Sequence, residues 1–463
     1  MLNTGSGTFI SACTPAVHII LEVLIQMSRL NLTGAIKSIN MLKSRSNVGQ
    51  KPRILYIDMA YTLKMVNERE LVQVFASREC GGYFDHVWAA HPIADVPEKR
   101  RLDFDGVKLS IVEFSKYQTV IEGQSAYYSV ARHCFPINFF LSQIRFLAYL
   151  ISLVKRERIS IIYSTDPYLG GLIGLLIKLF TGTSLVIWVI ANFDDLYKAK
   201  AVCAFPRIFR WRWVEKIVEK IVFRGADLVA GGNQNNLEFA LNNGATRKKA
   251  TVFPVGKLMY RQHMIEPGFR EADEFFISSK EARHFIYIGR LLELKHPDDV
   301  LRAFSVINRD ESDCALIMAG DGPMRADLEA LAHELDIYDK VHFLGYLSQK
   351  RLCSMLAGCF AVLSPLTGGS LVEGALAGLP IVAYDRDWQP DFVGKSGAGV
   401  IVPFRDWQRM GEAAVHLLHH PEKAMRMGKA ARRKGLETCD LEKIYGHERS
   451  EFDKLLKREL IQS

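Results

Sequence analysis

The sequence predicts an α/β protein that contains two doubly wound, Rossmann-like domains in tandem. Short apolar runs alternate with helical stretches from Arg53 onward, the pattern breaks in a charged stretch at 266–279, and it then restarts. Continuous apolar strands joined by helices indicate parallel sheets that are covered on both faces. The length of 463 residues also favours two or three domains, because chains usually hold one domain per roughly 100 to 200 residues.

The first domain is predicted to span residues 51–270. Its strands are expected at the segments ILYIDMA, HVWAAHPIA, ISIIYST, SLVIWVIAN, ADLVAGG and KATVFPVG. Helices are expected at 67–77, 139–155 and 170–180, and a long amphipathic helix ends at Phe223. Residues 1–50 precede this domain and are interpreted as an extension of one or two amphipathic helices.

The second domain is predicted to span residues 280–440. Its strands are expected at HFIYIGR, CALIMAGDG, VHFLGY, FAVLSP, LPIVAYD and GVIVP, with helices at 297–306, 324–335, 350–357, 370–377 and 407–419. Residues 441–463 are expected to form a helix that packs back toward the N-terminal domain. Open α/β sheets bind ligands at the carboxyl ends of their strands, so we expect the two domains to face a central cleft that holds the active site.

The composition is that of an ordinary globular protein and favours an anionic ligand. Hydrophobic residues make up 49% and charged residues 24% of the chain, and the net charge is +8. This charge suits nucleotides, phosphorylated lipids or an anionic membrane face. We expect no nucleic-acid partner, because the basic residues are dispersed and no recognised nucleic-acid motif occurs. The eight scattered cysteines indicate reduced thiols and a cytoplasmic location, with no metal-ligand spacing.

We expect no signal peptide and no transmembrane segment. The most apolar N-terminal run, Val17–Ile25, is shorter than the roughly 20 residues that a membrane span needs. A basic and aromatic segment at 197–224, with eight Lys or Arg against two Glu, offers a different kind of membrane contact.

Two interpretations of that segment stay open. One helix face carries Trp211, Val214, Ile217, Val218, Ile221 and Val222, and the other carries Arg212, Lys216, Glu219 and Lys220. The helix could simply pack on the sheet. Alternatively, the start of the segment could lie on an anionic bilayer, which would suit Phe205, Arg207, Phe209, Arg210 and Trp213.

The segment GRLLELK suggests a phosphate site in the second domain. A strand delivers Gly289 and Arg290, and Lys295 follows shortly before a helix begins. Two cations at a strand's carboxyl end and beside a helix N-terminus can hold a dianion such as a diphosphate. The alternative is a pair of surface residues in ordinary salt bridges.

The segment TGGSLVEGALAGLP supplies backbone N–H groups and one acid. The loop before the helix contains Gly368, Gly369 and Ser370, whose N–H groups and helix dipole would point at an anion. Glu373 follows one turn later, where a carboxylate can accept hydrogen bonds from the two vicinal hydroxyls of a ribose. It could equally be a favourable acid near a helix start.

Together these motifs resemble the glycosyltransferases of family 4, which retain the anomeric configuration and have the two-domain GT-B fold. GRLLELK, AGDGPMRADLEALA, VHFLGYLSQKRL and SLVEGALAGLPIVAYD match family motifs in order. The resemblance implies that Arg290 and Lys295 hold the donor diphosphate and act in catalysis, and that Glu373 binds the ribose. Further donor contacts are implied for Gly289, Leu344, Gly345, Tyr346, Gly368, Gly369, Ser370 and Leu371.

Three features depart from the family pattern or lie outside it. Pro365 stands where the family usually has a first glutamate that touches the donor sugar, which puts the identity of the donor in doubt. In the first domain, Asp194 or Asp195 could orient the acceptor hydroxyl, although capping of the next helix is the commoner role. Asp385-Arg386-Asp387 mimics a metal motif by accident, because cations already neutralise the diphosphate, so no metal is expected.

The sequence therefore predicts an enzyme, a retaining glycosyltransferase that uses a UDP- or GDP-linked sugar and no other cofactor. The expected acceptor is a glycan or a lipid-linked glycan, and the expected location is the cytoplasmic face of the inner membrane, on an anionic surface. A nucleotide-sugar epimerase of the same fold and a non-catalytic binding protein stay as alternatives. A Rossmann dehydrogenase is disfavoured because no G-x-G-x-x-G follows the first strand of either domain.

Overall fold

The computed structural model describes residues 51–95, 109–125, 135–200, 203–204, 209, 211–267, 273, 282–366 and 368–462. The helical extension predicted for residues 1–50 lies outside this range. The described chain divides into two compact units. The first runs up to Val66, resumes from Phe75 to Phe253 and takes the C-terminal stretch from Tyr445, and the second contains Asn67–Val74 and Pro254–Ile444.

The first unit contains an eight-stranded sheet. Its strands are β1 (Arg53–Ile57), β2 (His86–His91), β3 (Ser110–Ser115), β4 (Gln118–Glu122), β5 (Ile161–Ser164), β6 (Ser184–Val189), β7 (Leu228–Gly231) and β8 (Ala250–Val252). The order across the sheet is β3-β4-β2-β1-β5-β6-β7-β8, and all pairs are parallel except β3 with β4. The sequence analysis missed the β3–β4 hairpin, because β3 lies at the sheet edge and carries no continuous apolar run.

Helices cover this sheet and form its core with it. They are α3 (Phe135–Arg156), α4 (Leu169–Thr181), α5 (Phe193–Lys200), α6 (Arg212–Gly225) and α7 (Gln234–Asn242), whereas α1 (Leu63–Glu68) and α2 (Val72–Ala76) each belong partly to the second unit. The buried strand residues Ile57, Ile162 and Ile187 pack in one cluster with Leu150 of α3 and Val218 of α6. Burial on both faces explains why β1, β5 and β6 are continuously apolar in sequence.

The structure decides between the two interpretations of the basic segment for the residues of α6, Arg212–Gly225. Val214, Val218 and Val222 are buried in the core, so the prediction that this helix packs on the sheet is confirmed. Two other expectations are wrong, since Glu219, placed on the opposite face, is fully buried and Phe209, proposed for a bilayer, is also buried. Trp213 is exposed as expected, and Phe205, Arg207 and Arg210 lie outside the described residues.

Helix α3 corrects the expectation that no segment could span a membrane. Residues Ile137–Arg156 are long and apolar enough for a span by length and composition alone, and about a third of them are buried. In this structure the helix connects two parallel strands, β4 and β5, and packs against α4. Its second half supplies Leu150, Leu153 and Val154 to the core, which gives a structural reason for its apolar composition.

The second unit contains a six-stranded parallel sheet in the order β11-β10-β9-β12-β13-β14. Its strands are β9 (Arg283–Ile288), β10 (Cys314–Ala319), β11 (Val341–Gly345), β12 (Ala361–Ser364), β13 (Ile381–Tyr384) and β14 (Gly399–Val402). Its helices are α8 (Pro297–Asp310), α9 (Arg325–Glu334), α10 (Gln349–Ala357), α11 (Ser370–Leu376), α12 (Trp407–His419) and α13 (Pro421–Thr438). The strand order reverses between β9 and β12, which is the point where doubly wound sheets bind ligands.

The boundary between the units lies at Phe253 and Pro254, earlier than the predicted residue 270. Met259 is buried in a core cluster of the second unit. Arg432 of α13 donates a hydrogen bond of 3.0 Å to the carbonyl of Met264 and pairs with Glu266. These contacts hold the segment that begins at Pro254 to the second unit. No local sequence pattern predicts them.

The last helix, α14 (Leu441–Gln462), begins in the second unit and continues into the first from Tyr445. Phe452 is fully buried in the first unit, with its ring centroid 5.8 Å from that of Phe253 and 6.4 Å from that of Tyr163. Arg449 donates to the carbonyl of Cys80. The C-terminal residues are thus part of the first unit's core.

Candidate functional site

Glycines stand at the carboxyl ends of three neighbouring strands of the second unit. Gly289 follows β9, Gly320 follows β10 and Gly345 ends β11. A β-carbon on Gly320, which has a φ of +151°, would lie only 1.9 Å from the carbonyl oxygen of Gly289. This close backbone approach requires glycine at residue 320. The strand ends therefore present main chain rather than side chains at this edge of the sheet.

Lys295 and Gly368 lie next to each other at this edge. Gly368 has a φ of +74°, and a β-carbon there would be 3.5 Å from the Lys295 ammonium nitrogen. Ser370 donates its hydroxyl to the carbonyl of Ile288 at 2.8 Å, which ties the loop after β12 to the end of β9. The structure thus brings together the predicted cation and the predicted glycine loop, which are more than 70 residues apart in sequence.

Arg290 follows Gly289 directly and is exposed. Its carbonyl accepts a hydrogen bond of 3.1 Å from the hydroxyl of Tyr287, which fixes the backbone at the end of β9. Lys295 is half-buried in a short 3-10 turn just ahead of α8. Both predicted cations therefore flank the same strand end, where their charges can act on one anion.

Charges of both signs surround His296, which follows Lys295. Burial lowers the pKa of His296 to about 4; the charges of Arg405, Arg386 and Lys295 act in the same direction, and that of Asp298 opposes them. Arg405 itself lies 2.6 Å from the imidazole Nδ1 of His296. Arg405 also pairs with Asp298 at 3.5 Å and with Asp299 at 3.2 Å, and sequence reasoning did not identify this cluster of charges.

Within the glycine loop the four predicted residues behave differently. Gly369 is exposed, and Gly368 and Ser370 are partly exposed. Leu371 is fully buried in the core and donates its N–H to the carbonyl of Gly368 at 3.1 Å. The contact predicted for Leu371 is therefore better explained as core packing and helix initiation. Thr367 lies outside the described residues.

Glu373 is a buried carboxyl in an otherwise apolar helix. It is 8% exposed, and its helix neighbours Leu371, Val372 and Leu376 are fully buried. Burial raises the pKa of Glu373 to about 7, while a hydrogen bond from the Gln349 side chain acts in the opposite direction. Such a carboxyl is costly for the fold, so a role beyond helix-end electrostatics is indicated.

The end of β11 places an aromatic ring near Glu373. Tyr346 is half exposed, and burial raises the pKa of its hydroxyl, while the charge of Arg69 lowers it and that of Glu373 raises it. Gly345, with a φ of +67°, leads into it, and Leu344 packs against the core. The Tyr346 hydroxyl donates to the carbonyl of Arg69 within the same unit at 3.2 Å. A flat ring beside a buried acid suits a base and its ribose.

Asp194 in the first unit belongs to an ion-pair network, and the catalytic role predicted for it stays a prediction. Arg212 donates to Oδ1 at 2.8 Å, while Lys216 and Asn243 donate to Oδ2 at 2.6 Å and 3.1 Å. Burial alone would raise the pKa of Asp194, but these hydrogen bonds lower it to about 2. Since both oxygens are engaged, the carboxylate is explained by the fold.

The helix cap expected from Asp194 or Asp195 is instead supplied by Asn192. Its Oδ1 accepts from the N–H of Asp194 at 3.1 Å and from that of Asp195 at 3.2 Å. Asp195 forms an exposed pair of 3.5 Å with Lys198. Each of the two acids that follow β6 thus pairs with basic side chains: Asp194 with Arg212 and Lys216, and Asp195 with Lys198.

Pro365 is buried, and a buried glutamine fixes the loop around it. Gln389 donates from Nε2 to the carbonyl of Pro365 at 3.1 Å, and its Oε1 accepts from the Ser364 hydroxyl at 2.8 Å. Asp385 follows β13 and donates its N–H to the carbonyl of Val402. Among the residues that the structure describes, no group of three His, Cys, Asp or Glu is arranged to hold a metal ion.

The two doubly wound units define the class of this protein as a GT-B glycosyltransferase fold, as the sequence predicted. Residues 269–434, which lie in the second unit, match the family described as Glycosyl transferases group 1, and this match confirms the predicted resemblance to a glycosyltransferase family. The finer assignment to family 4 stays a prediction.

Comparison with known proteins supports the same class. The chain is 29% identical over 150 residues to an alpha-D-kanosaminyltransferase of Streptomyces kanamyceticus, which covers 32% of this chain and 39% of that enzyme. It is 28% identical over 158 residues to a GDP-mannose-dependent phosphatidylinositol monomannoside mannosyltransferase of Mycobacterium tuberculosis, covering 32% of this chain and 41% of the relative. The chain thus spans about two fifths of the length of these relatives.

The fold is also found in a solved structure from Anabaena, Alr3699/HepE in complex with UDP-glucose. The TM-score is 0.62 with 12% sequence identity, and the match covers 87% of this chain and 99% of that protein. At this identity the likeness concerns the fold, which extends over both units.

Proposed function

We propose that this chain is a retaining glycosyltransferase that transfers a sugar from a UDP- or GDP-linked donor to a glycan or lipid-linked acceptor. The observation that carries the proposal is the position of Lys295 beside Gly368. The buried Glu373 lies in the first turn of α11, the helix that follows this glycine loop. A related structure contains UDP-glucose and a related enzyme uses GDP-mannose by name, which supports a nucleotide-sugar donor.

In this proposal the second unit binds the donor in three parts. Arg290 and Lys295 face the diphosphate, assisted by the N–H groups of the loop at Gly369 and Ser370. Glu373 accepts hydrogen bonds from the ribose hydroxyls, and Tyr346 lies against the base. Cations that are already in place where charge develops on the leaving group usually supply the largest catalytic contribution.

The transfer step then needs no nucleophile from the protein. The bond between the anomeric carbon and the diphosphate oxygen breaks, and a bond to the acceptor oxygen forms on the same face of the sugar. The acceptor's proton passes to the departing diphosphate, whose charge is held by Arg290 and Lys295. This route would retain the anomeric configuration.

We further propose that the enzyme works on the cytoplasmic face of a membrane through its first unit. The first half of α3 has an inverted pattern: Asn138 and Ser142 are buried, whereas the exposed apolar residues are Ile137, Phe140, Leu141 and Ile144. The stacked and exposed rings of Trp211 and Trp213 begin α6. An exposed apolar surface of this kind marks an interaction site.

The two groups of apolar side chains share one edge of the first sheet. Helices α3 and α6 each connect parallel strands, so both begin at the carboxyl edge of that sheet. Arg145 is exposed on α3, and the segment 197–224 has eight Lys or Arg against two Glu. Aromatic and apolar side chains together with basic charge suit an anionic bilayer.

A single assay separates the proposed transferase from the two alternatives. The full chain is incubated with UDP- and GDP-sugars, with and without candidate acceptors, and the products are followed by proton NMR. A transferase consumes donor in the presence of acceptor and forms a product of retained configuration. Conversion of the sugar without acceptor would identify an epimerase, and binding without turnover would identify a binding protein.

A further inference from the structure

Arg325 begins helix α9 and reaches the end of strand β11. Its Nε donates a hydrogen bond of 2.9 Å to Oε1 of Glu329, one turn along the same helix. Its Nη2 donates a hydrogen bond of 3.1 Å to the carbonyl of Phe343 in β11. The side chain nevertheless stays 37% exposed. Two of the three guanidinium nitrogens are therefore fixed by the protein, in a group that a ligand can still reach.

The third nitrogen, Nη1, lies beside Gly345. A β-carbon at Gly345 would be 3.6 Å from Nη1, and apart from the adjoining residues no other heavy atom of the described chain comes within 4 Å of that position. Nη1 makes no hydrogen bond to the residues that the structure describes. The half-exposed Tyr346 follows directly. The end of β11 thus has open space over its backbone, bordered by a cationic donor.

The position of Gly345 in the sheet indicates which part of a nucleotide would meet it. Lys295 follows β9, and β11 is two strands away in the order β11-β10-β9-β12. Neighbouring strands are about 4.8 Å apart, so the two strand ends are separated by about 10 Å. A nucleoside diphosphate with its phosphates at Lys295 therefore reaches Gly345 with its base, the part furthest from the phosphates.

We propose that Arg325 determines which base the donor nucleotide carries, because its Nη1 donates a hydrogen bond to a carbonyl oxygen at the outer edge of the base, O4 of uracil or O6 of guanine. The proposal rests on the proposed function, which supplies the nucleoside diphosphate. A guanidinium donates hydrogen bonds and accepts none. The amino groups of cytosine and adenine at the same edge are also donors. The site therefore accepts UDP- and GDP-linked sugars and rejects those linked to CDP or ADP.

The two contacts with the protein make this discrimination effective. Because Nε and Nη2 are bonded to Glu329 and Phe343, Nη1 is in place before the nucleotide binds, and little side-chain freedom is lost on binding. With an amino group opposite it, Nη1 would lose its contact with water and gain no acceptor. A site built to hydrogen-bond one group rejects an analogue that lacks it, since its own polar group is then left unpaired.

The first test compares nucleotide affinities of the full chain by calorimetry. The pairs are UDP with CDP and GDP with ADP, because each pair contrasts a carbonyl with an amino group at the outer edge of the base. We expect the wild type to prefer the carbonyl nucleotide about tenfold, as for one hydrogen bond to a charged group. Arg325→Met should remove this preference by weakening the binding of the carbonyl nucleotide.

Arg309→Met is the matched control. Arg309 is also an exposed arginine that pairs with a residue of its own helix, Asp310, at 3.5 Å. It lies in the last turn of α8, at the opposite edge of the sheet from Arg325. The control variant should keep the wild-type preference. A lower melting temperature of Arg325→Met with an unchanged preference would overturn the proposal, and so would a wild type that does not prefer the carbonyl base.

A second measurement distinguishes contact with the base from contact with the phosphates. With isotope-labelled arginine and the Arg325 side-chain signal assigned through Arg325→Met, NMR should show this signal shifting on addition of UDP or GDP but not of inorganic diphosphate. An equal shift with inorganic diphosphate would overturn the contact with the base. A wild type that binds no nucleoside diphosphate would overturn the proposed function as well, whereas binding that is indifferent to the base would overturn this inference alone.

Discussion

The ammonium group of Lys295 lies against the backbone of Gly368, at 3.5 Å from where a β-carbon of residue 368 would stand. The relationship joins the end of β9 to the loop after β12, at the reversal point of the second sheet. The ammonium group of Lys295 therefore lies beside the backbone of Gly368, and any side chain at residue 368 would contact it. The donor-binding proposal starts from this contact.

Gly368→Ala is expected to weaken binding of UDP or GDP by calorimetry and to lower stability. A non-glycine residue at a φ of +74° costs about 1 to 2 kcal/mol, and the added methyl group touches the Lys295 ammonium. Gly397→Ala is the matched control, because Gly397 has a φ of +72° with nothing within 4 Å. It should lose similar stability and keep its affinity; equal affinity losses in both variants would contradict the site.

Lys295→Ala and Arg290→Ala are each expected to weaken nucleoside diphosphate binding roughly tenfold or more and to abolish detectable transfer. The reason is the loss of a charge-assisted contact with the diphosphate. Thermal melting without ligand should change little, since Arg290 is exposed and Lys295 half-buried. Exposed Lys350→Ala should leave binding intact. Full turnover in either test variant would refute the assignment.

Glu373 makes a prediction about pH. Its pKa of about 7 lies above the ordinary value of 4.5 because of burial. In the unfolded chain the group ionises first, so the wild type should lose stability as pH rises from about 4.5 to 7. Relative to Glu373→Gln, the loss is expected to be on the order of 3 kcal/mol above pH 7 and to vanish below 4.5. Urea unfolding of both proteins across this range measures it.

Asp194→Asn is expected to lower stability by about 1 to 3 kcal/mol, because it leaves Arg212 and Lys216 with weakened partners in a mostly buried network. The contribution of Asp194 to the free energy of unfolding should be present above pH 4 and be lost as pH falls toward 2, since the pKa of Asp194 in the folded protein is about 2. Turnover per folded molecule should be unchanged. A large fall in turnover with unchanged stability would support the catalytic role.

Phe140→Asp combined with Ile144→Asp is expected to reduce flotation with anionic vesicles at least tenfold, because it places charge on the exposed apolar face of α3. Phe180→Asp is the control. Phe180 is 56% exposed but lies near the C-terminal end of α4, at the opposite edge of the first sheet. Wild-type protein that fails to float at low and high salt would remove the membrane proposal.

Much of the fold could be predicted from short stretches of sequence. Helix α12 has the predicted bounds, Trp407–His419, the strands β10 to β14 fall within the predicted segments, and β9 begins one residue before its segment. The motifs also placed Lys295, Gly368 and Glu373 in one site. In each case the signal was periodicity, or a glycine next to a charge, within a few consecutive residues.

The errors arose where a residue's partner is distant in sequence. Glu219 looked solvent-facing from the helical period, yet it accepts a hydrogen bond of 2.6 Å from Tyr168, which directly precedes α4. Asp194 looked like a free acid after a strand, but Asn243 and Lys216 surround it. The predicted boundary at residue 270 was too late. Met259, which lies before it, packs in a core cluster whose other buried members lie in the second unit, further along the chain.

The sequence by itself therefore determined the two sheets, most of their helices and the donor-site motifs, since these depend on local patterns of apolar, glycine and charged residues. Only the tertiary structure decided that Asp194 pairs with Arg212 and Lys216, and that His263 contacts Gln349, which lies 86 residues further along the chain. A hydrogen bond between distant residues depends on where the backbone brings them, and no local pattern records that position.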